Sequence, residues 1–306
     1  MKSKPKLTFM LSLLALFAAS AQAQKLLPPT YEIGKEYIFV MDQDMVMDMT
    51  TLGAAVGQPM GKMVVKMKME MSATCVAGAE AGQKKVTSKA THVQMDMNGG
   101  GIEMSFDSDE EGSENTMLGQ QLGPIMQMDF AMILDKDDKV VEVEGLEDLQ
   151  GAAGGQLFTP EQFKDMVNPA MRLGIPPAGV AIGEEWESNF DMDLGAQVGK
   201  MKMEFDVKYV RDEEVDGKQC AVLEFTADME MDIKAGAAGA PQVQMKLGES
   251  ETKGDMKIDK NLRFFRNGAI DMNMNMQMTN PLNPEQSLKL PMEMKQTFTL
   301  KEVKDL

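Results

Sequence analysis

The chain has 306 residues, a formal net charge of −17, one histidine, two cysteines and 33 methionines. Its length fits one large domain or two of ordinary size, and at 43% hydrophobic residues it can build a core. The acidic balance argues against nucleic-acid binding, because phosphate recognition needs clustered Lys and Arg. A single histidine excludes metal sites built on several imidazoles.

Residues 1–23 have the three parts of a secretory signal peptide. Lysines precede an apolar stretch over 7–19, and Ala21-Gln22-Ala23 supplies a small-x-small cleavage site. The apolar stretch is short for a membrane span, and no later segment approaches about 20 uninterrupted apolar residues. We therefore expect an exported mature chain from Gln24, periplasmic or extracellular, without a transmembrane segment after cleavage.

Most of the remaining sequence alternates apolar and polar residues. Strict alternation is typical of antiparallel strands that turn one face to a core and the other to water. It is clearest in two segments with methionine at every second position, namely Met67, Met69 and Met71, and Met272, Met274 and Met276. We expect these six side chains to share the core or concave face, while their polar strand neighbours face water, because a one-residue shift of register would exchange the two sets.

The chain also repeats five short landmarks in the same order. The matching pairs are 33–37 with 182–186, 67–71 with 201–205, 82–84 with 217–219, 95–97 with 229–231, and 134–136 with 258–260. Between the two copies, Thr159-Pro160-Glu161-Gln162 is a capping box with proline at the first helical position, which predicts a short helix near 160–171.

These patterns predict an all-β chain of two tandem, internally repeated antiparallel curved sheets or open barrels, with one short helix between them. The expected organisation is a signal peptide (1–23), a first β-unit (24–150), a helical and proline-containing linker (151–179) and a second β-unit (180–306).

A family resemblance rests on the order of several landmarks after the signal peptide. They are Phe106-Asp107-Ser108, Leu134-Asp135-Lys136 and the continuous segment 176–186, Pro-Pro-Ala-Gly-Val-Ala-Ile-Gly-Glu-Glu-Trp. In these the chain resembles an uncharacterised family of exported bacterial two-repeat β-proteins, a domain of unknown function. The layout is also similar to the open half-barrels of periplasmic lipoprotein carriers. The resemblance implies export and a two-unit β architecture, and it implies no catalytic or ligand-binding residues.

The methionine excess has three interpretations. Unbranched, flexible methionine side chains fill a core well, and core filling is the favoured interpretation. A methionine-lined sheet face can also bind an apolar ligand or a polypeptide, and here Met67, Met69, Met71, Met272, Met274 and Met276 are the candidate binding residues. The alternative is a periplasmic protein that binds copper or silver, because thioether sulfur suits soft metals. For that alternative the methionines look too dispersed along the sequence to converge.

The other candidate sites are weaker. Asp107–Gly112 resembles the first half of a calcium loop, but the twelfth position is Leu118, so a polar, solvated loop over 107–122 is expected. His92 has no nucleophile motif around it. We therefore predict no enzyme activity and no cofactor. Cys75 and Cys220 fall on opposite strand faces, which favours two buried free thiols over a disulfide.

Overall fold

The structure is a computed structural model that describes residues 25–126, 129–145, 161–164, 167–168, 173–193, 199–235, 243–280 and 283–306. The predicted signal peptide (1–23) lies outside the described residues, as do 151–160 of the predicted linker. The described residues of 161–168 are helical, where the capping box predicts a helix.

The described residues form one large antiparallel sheet with few helices. Its strands are β1 (Lys35–Asp48), β2 (Lys62–Ala77), β3 (Lys84–Gly99), β4 (Ile102–Asp107), β5 (Asp129–Leu134), β6 (Val140–Glu144), β7 (Glu185–Asp193), β8 (Gly199–Val215), β9 (Lys218–Ala235), β10 (Val243–Asp259), β11 (Phe264–Asn280) and β12 (Asn283–Asp305). The helical elements are α1 (Thr50–Val56), a 3-10 turn (Ser113–Asn115) and α2 (Met117–Met126). The predicted all-β, antiparallel class is confirmed.

The spatial order of the strands is β6-β5-β3-β2-β1-β12-β11-β10-β9-β8-β7, with β4 paired to β3. Five strands of the first half, β1, β2, β3, β5 and β6, follow the same order as β7 to β11 of the second half. The first half differs because β4 and α2 are inserted between β3 and β5. The shared order is what a duplicated unit would produce.

The two halves are joined edge to edge, which differs from the expected pair of separate sheets. β1 pairs with β12 from Lys35 opposite Asp305 to Met47 opposite Met292. β12 is 23 residues long and has no counterpart in the first half. It covers the edge of β1, whose backbone N–H and C=O groups would otherwise be unpaired, and this pairing merges both halves into one sheet.

One end of the apolar face is closed by segments outside the sheet. Leu26 pairs with Val180, and both pack with Ile175 against a core on the second half. On the first half, Tyr31 packs against Tyr37 and Phe264, with ring centroids 5.1 and 4.8 Å from that of Tyr31. These contacts leave the opposite, methionine-rich end of the same face less covered.

α2 closes part of the apolar face in the first half, where a polar loop was expected. Leu118 is buried with Val93 and Phe106, and Leu122 and Met126 pack at the edge of this cluster. These three α2 side chains recur at every fourth position, the spacing that gives a helix an apolar stripe. The loop prediction over 107–122 is therefore wrong from Met117 onward.

Candidate functional site

The six predicted methionines lie on one face of the sheet. Met274 is buried and the other five are partly buried. Their polar neighbours on the same strands are exposed, except Glu70, which is partly buried and bonds to Lys301 at 2.6 Å. The burial pattern thus follows the register expected from alternation. A binding role for these residues stays a prediction.

The structure does not bring the two methionine triplets together. Met67, Met69 and Met71 lie on β2, and Met272, Met274 and Met276 lie on β11, with β1 and β12 between them. Met69 packs against the α2 cluster. The triplets therefore belong to separate regions of the apolar face.

A cavity of about 370 Å³ opens on the apolar face of the second half. Among the described residues, eleven side chains line the cavity, and ten of them are apolar, with Ser188 as the exception. The lining residues are Leu173, Ser188, Phe190, Met201, Met203, Phe205, Val207, Leu223, Phe225, Met256 and Ile270. None of the six predicted methionines lines this cavity. Alternation alone places Phe205 and Val207 on the inner face, but it does not reveal that a cavity lies above them.

The cavity walls are fixed by specific packing. The rings of Phe205 and Phe225 meet edge to face at 5.9 Å. Phe225 lies over Gly254 on the next strand, where a Cβ atom would come within 2.5 Å of the ring. Leu173 reaches the cavity from outside the sheet, and its carbonyl accepts a hydrogen bond from Trp186 Nε1 at 2.8 Å. The sheet therefore forms most of the cavity wall. The segment that contains Leu173 forms the rest, and its hydrogen bond from Trp186 on β7 fixes it to the sheet.

A buried hydroxyl lies on β10, on the apolar face. Thr252 is 3% exposed, pairs with Met272 across the strands, and its Oγ1 has no hydrogen-bond partner. Leaving a buried polar group unpaired costs about 1–3 kcal/mol. An incoming polar atom at this position would recover part of that cost.

The opposite face is charged, and acidic and basic residues lie opposite each other on neighbouring strands. Asp42 lies opposite Lys68, and Asp44 lies opposite both Lys66 and Lys295. Such cross-strand pairs stabilise the sheet by fractions of a kcal/mol each.

The calcium-loop resemblance does not extend to the structure. Leu118, at the twelfth position, is buried in a core cluster and offers no oxygen to a metal. The Asp107 carboxylate accepts the backbone N–H of Asp109 at 2.9 Å and contacts His92 Nε2 at 2.9 Å. The Asp109 amide and then the His92 ring hold the pKa of Asp107 below its usual value. One ligand atom each from His92, Asp107 and Asp109 lies within 4.8 Å of the others. The internal hydrogen bonds account for this arrangement without an ion.

The two cysteines are free and buried, as expected. Cys75 lies on the apolar face, since it pairs with Val86, and burial raises the pKa of its thiol to about 11. Burial likewise raises the pKa of Cys220. Both thiols therefore stay protonated near neutral pH.

Over the described part of the chain, no helix has the length and apolarity needed to cross a membrane. None of the curated proteins matches the chain. Among solved structures, lipovitellin, solved in a study of its lipid–protein interactions, is 8% identical with a TM-score of 0.45. That match covers 90% of this chain, which spans only 26% of the lipovitellin chain.

Two further structures show weaker likeness. A "putative exported protein with YmcC-like fold" from Bacteroides fragilis is 8% identical with a TM-score of 0.23, covering 92% of this chain and 99% of its own. DynF, from the dynemicin biosynthesis pathway of Micromonospora chersina, is 8% identical with a TM-score of 0.22, covering 91% of this chain and 85% of its own. At 8% sequence identity and TM-scores below 0.5, these similarities do not show which ligand this chain binds.

The family comparison is more specific, and it agrees with the resemblance seen in the sequence. The model of a family of unknown function, DUF6263, matches residues 81–264, which is more than half of the chain. The matched span runs from the β2–β3 turn to Phe264, the first residue of β11. It therefore includes β7, β8, β9 and β10, which line the cavity together with β11. The chain belongs to the DUF6263 family.

Proposed function

We propose that this protein is exported, has no catalytic activity and binds a long acyl chain in the apolar cavity of β7 to β11. The observation that carries the proposal is the cavity itself, which has a volume of about 370 Å³ and a single polar side chain among its described lining residues. Ligand pockets of small molecules have volumes of about 300–1,000 Å³ and mostly apolar walls. The cavity walls favour a hydrocarbon ligand, because they offer dispersion contacts and almost no hydrogen bonds.

The residues that line the cavity also favour ligand binding over catalysis. Ser188 is the one polar residue in the described part of the lining, and that part contains neither a histidine nor a carboxylate beside it. A serine nucleophile needs an adjacent base to be activated. Met201 and Met203 line one wall, and flexible thioether side chains adapt to ligands of different length.

A polar substitution in the cavity tests the proposal. Met203 is partly buried and pairs with Phe190 and Met229, so the amide of Met203→Gln would have apolar neighbours on both sides. We expect the substitution to weaken binding of cis-parinaric acid, a fluorescent long-chain fatty acid, about tenfold, or about 1.4 kcal/mol. Fluorescence titration of the chain from Gln24 measures the dissociation constant.

Met97→Gln is the matched control. Met97 is also partly buried on the apolar face, but it lies on β3 and outside the cavity. Its substitution should leave the dissociation constant unchanged. Equal effects of the two substitutions, or no binding by the parent protein, would refute acyl-chain binding at this cavity.

A further inference from the structure

The pairing of β1 with β12 gathers methionines that are far apart in the sequence. In one cross-strand row, direct partners on four neighbouring strands are all methionine: Met63, Met47, Met292 and Met274. In the next row, the direct partners on three of these strands are Met45, Met294 and Met272. These seven residues are called the methionine junction below.

Neighbouring side chains of the junction can converge. Residues directly opposite each other on antiparallel strands have Cβ atoms about 4.5–5.5 Å apart and point to the same face. Methionine has three rotatable side-chain bonds, so neighbouring sulfur atoms can approach a common point. Met274 is buried and the other six are partly buried, so the sulfur atoms are sheltered without being sealed in a core. This removes the sequence-based objection that the methionines are too dispersed to form a site.

The chemistry of the junction selects one class of ligand. Thioether sulfur is a soft, uncharged donor that binds copper(I) and silver(I) and binds hard cations poorly. Beyond the junction the two rows continue into Gly99 and Ser250, and into Val65, Met97 and Thr252, and none of these residues carries a carboxylate or an imidazole. Thr252 provides a second indication, because its buried hydroxyl beside Met272 has no partner and could bond to a water on a bound ion.

We propose that the methionine junction binds one monovalent soft metal ion, copper(I) or silver(I), through three or four of its thioether sulfurs. This site is separate from the acyl-chain cavity, since none of the seven junction residues lines that cavity. The thiols lie outside this site, because Cys75 and Cys220 are both fully buried and neither belongs to the junction rows.

Silver(I) is the probe, because it does not change oxidation state in buffer. The chain from Gln24, carrying ¹³C-methyl methionine, is titrated with silver nitrate in chloride-free buffer and followed by NMR. We expect saturation at one equivalent, with methyl shifts confined to the seven junction methionines. In Met47→Leu/Met292→Leu, which keeps the side-chain volume, the affinity should fall at least tenfold.

Met97→Leu/Met104→Leu is the control, because these residues are direct partners on β3 and β4, outside both the junction and the cavity. It should bind silver as the parent does, and so should Cys75→Ala/Cys220→Ala. No binding at micromolar silver, shifts spread over methionines of the whole sheet, or equal losses in the two leucine pairs would overturn the proposal. Loss of silver binding in the cysteine variant would show that the thiols, and not the junction methionines, bind the ion. Acyl-chain binding is measured separately, so failure of either proposal leaves the other intact.

Discussion

Gly254→Ala is expected to lower the free energy of unfolding by about 3 kcal/mol, the upper part of the range for overpacked cores. A Cβ atom at this position would lie 2.4 Å from the backbone oxygen of Ala269 and 2.5 Å from Cζ of Phe225. The backbone oxygen belongs to the paired strand β11 and cannot move without disturbing the ladder. The Phe225 ring would have to leave its place over the glycine. Because Phe225 lines the cavity, binding of cis-parinaric acid should weaken as well.

The control is Gly61→Ala, because a Cβ atom there meets no heavy atom within 4 Å. Urea titration followed by circular dichroism gives the free energy of unfolding of both variants. Gly61→Ala should match the parent protein. If Gly254→Ala were as stable as the parent protein, the packing of Phe225 over Gly254 of β10 would be incorrect.

Tyr37→Ala should destabilise the protein by about 4 kcal/mol, as expected when a large buried ring is removed. Tyr37 is fully buried, and its ring lies 4.4 Å from that of Phe264 and 5.1 Å from that of Tyr31. Its hydroxyl accepts the backbone N–H of Glu32 at 2.8 Å. Phe264 belongs to β11, so this cluster ties the second half of the sheet to β1 and to the N-terminal segment.

Tyr37→Phe separates the ring from the hydroxyl. It keeps the ring packing and leaves only the Glu32 N–H without its acceptor, which should cost about 1 kcal/mol. The same urea titration measures both variants. A loss below 1 kcal/mol for Tyr37→Ala would show that this ring cluster does not hold the two halves together.

The sequence could predict which face a residue occupies, but not which strand lies beside it. The alternation of Met67 with Lys68, and of Met272 with Asn273, is enough to assign faces, because a strand repeats every two residues. The β1–β12 pairing joins residues up to 270 positions apart, such as Lys35 and Asp305, and no local pattern encodes such a partner. The single sheet and the methionine junction therefore required the structure.

The candidate cavity was predictable only in part. Phe205 and Val207 alternate with charged residues, which places them on the inner face. The space above them depends on where Leu173 crosses the sheet, and that position is set by tertiary contacts such as the Trp186 bond to its carbonyl. α2 was missed for a different reason: the acidic residues of 107–111 resembled a polar loop, although Leu118, Leu122 and Met126 carried a helical spacing.

Oxidation mapping tests acyl-chain binding in the cavity most directly. The chain from Gln24 is treated with dilute hydrogen peroxide, with and without saturating cis-parinaric acid, and methionine sulfoxide is quantified by peptide mass spectrometry. The fatty acid is expected to slow oxidation of Met201 and Met203, which line the cavity, and to leave the rate at Met97 on β3 unchanged. Equal oxidation rates at Met201 and Met203 with and without the fatty acid would contradict acyl-chain binding in the cavity.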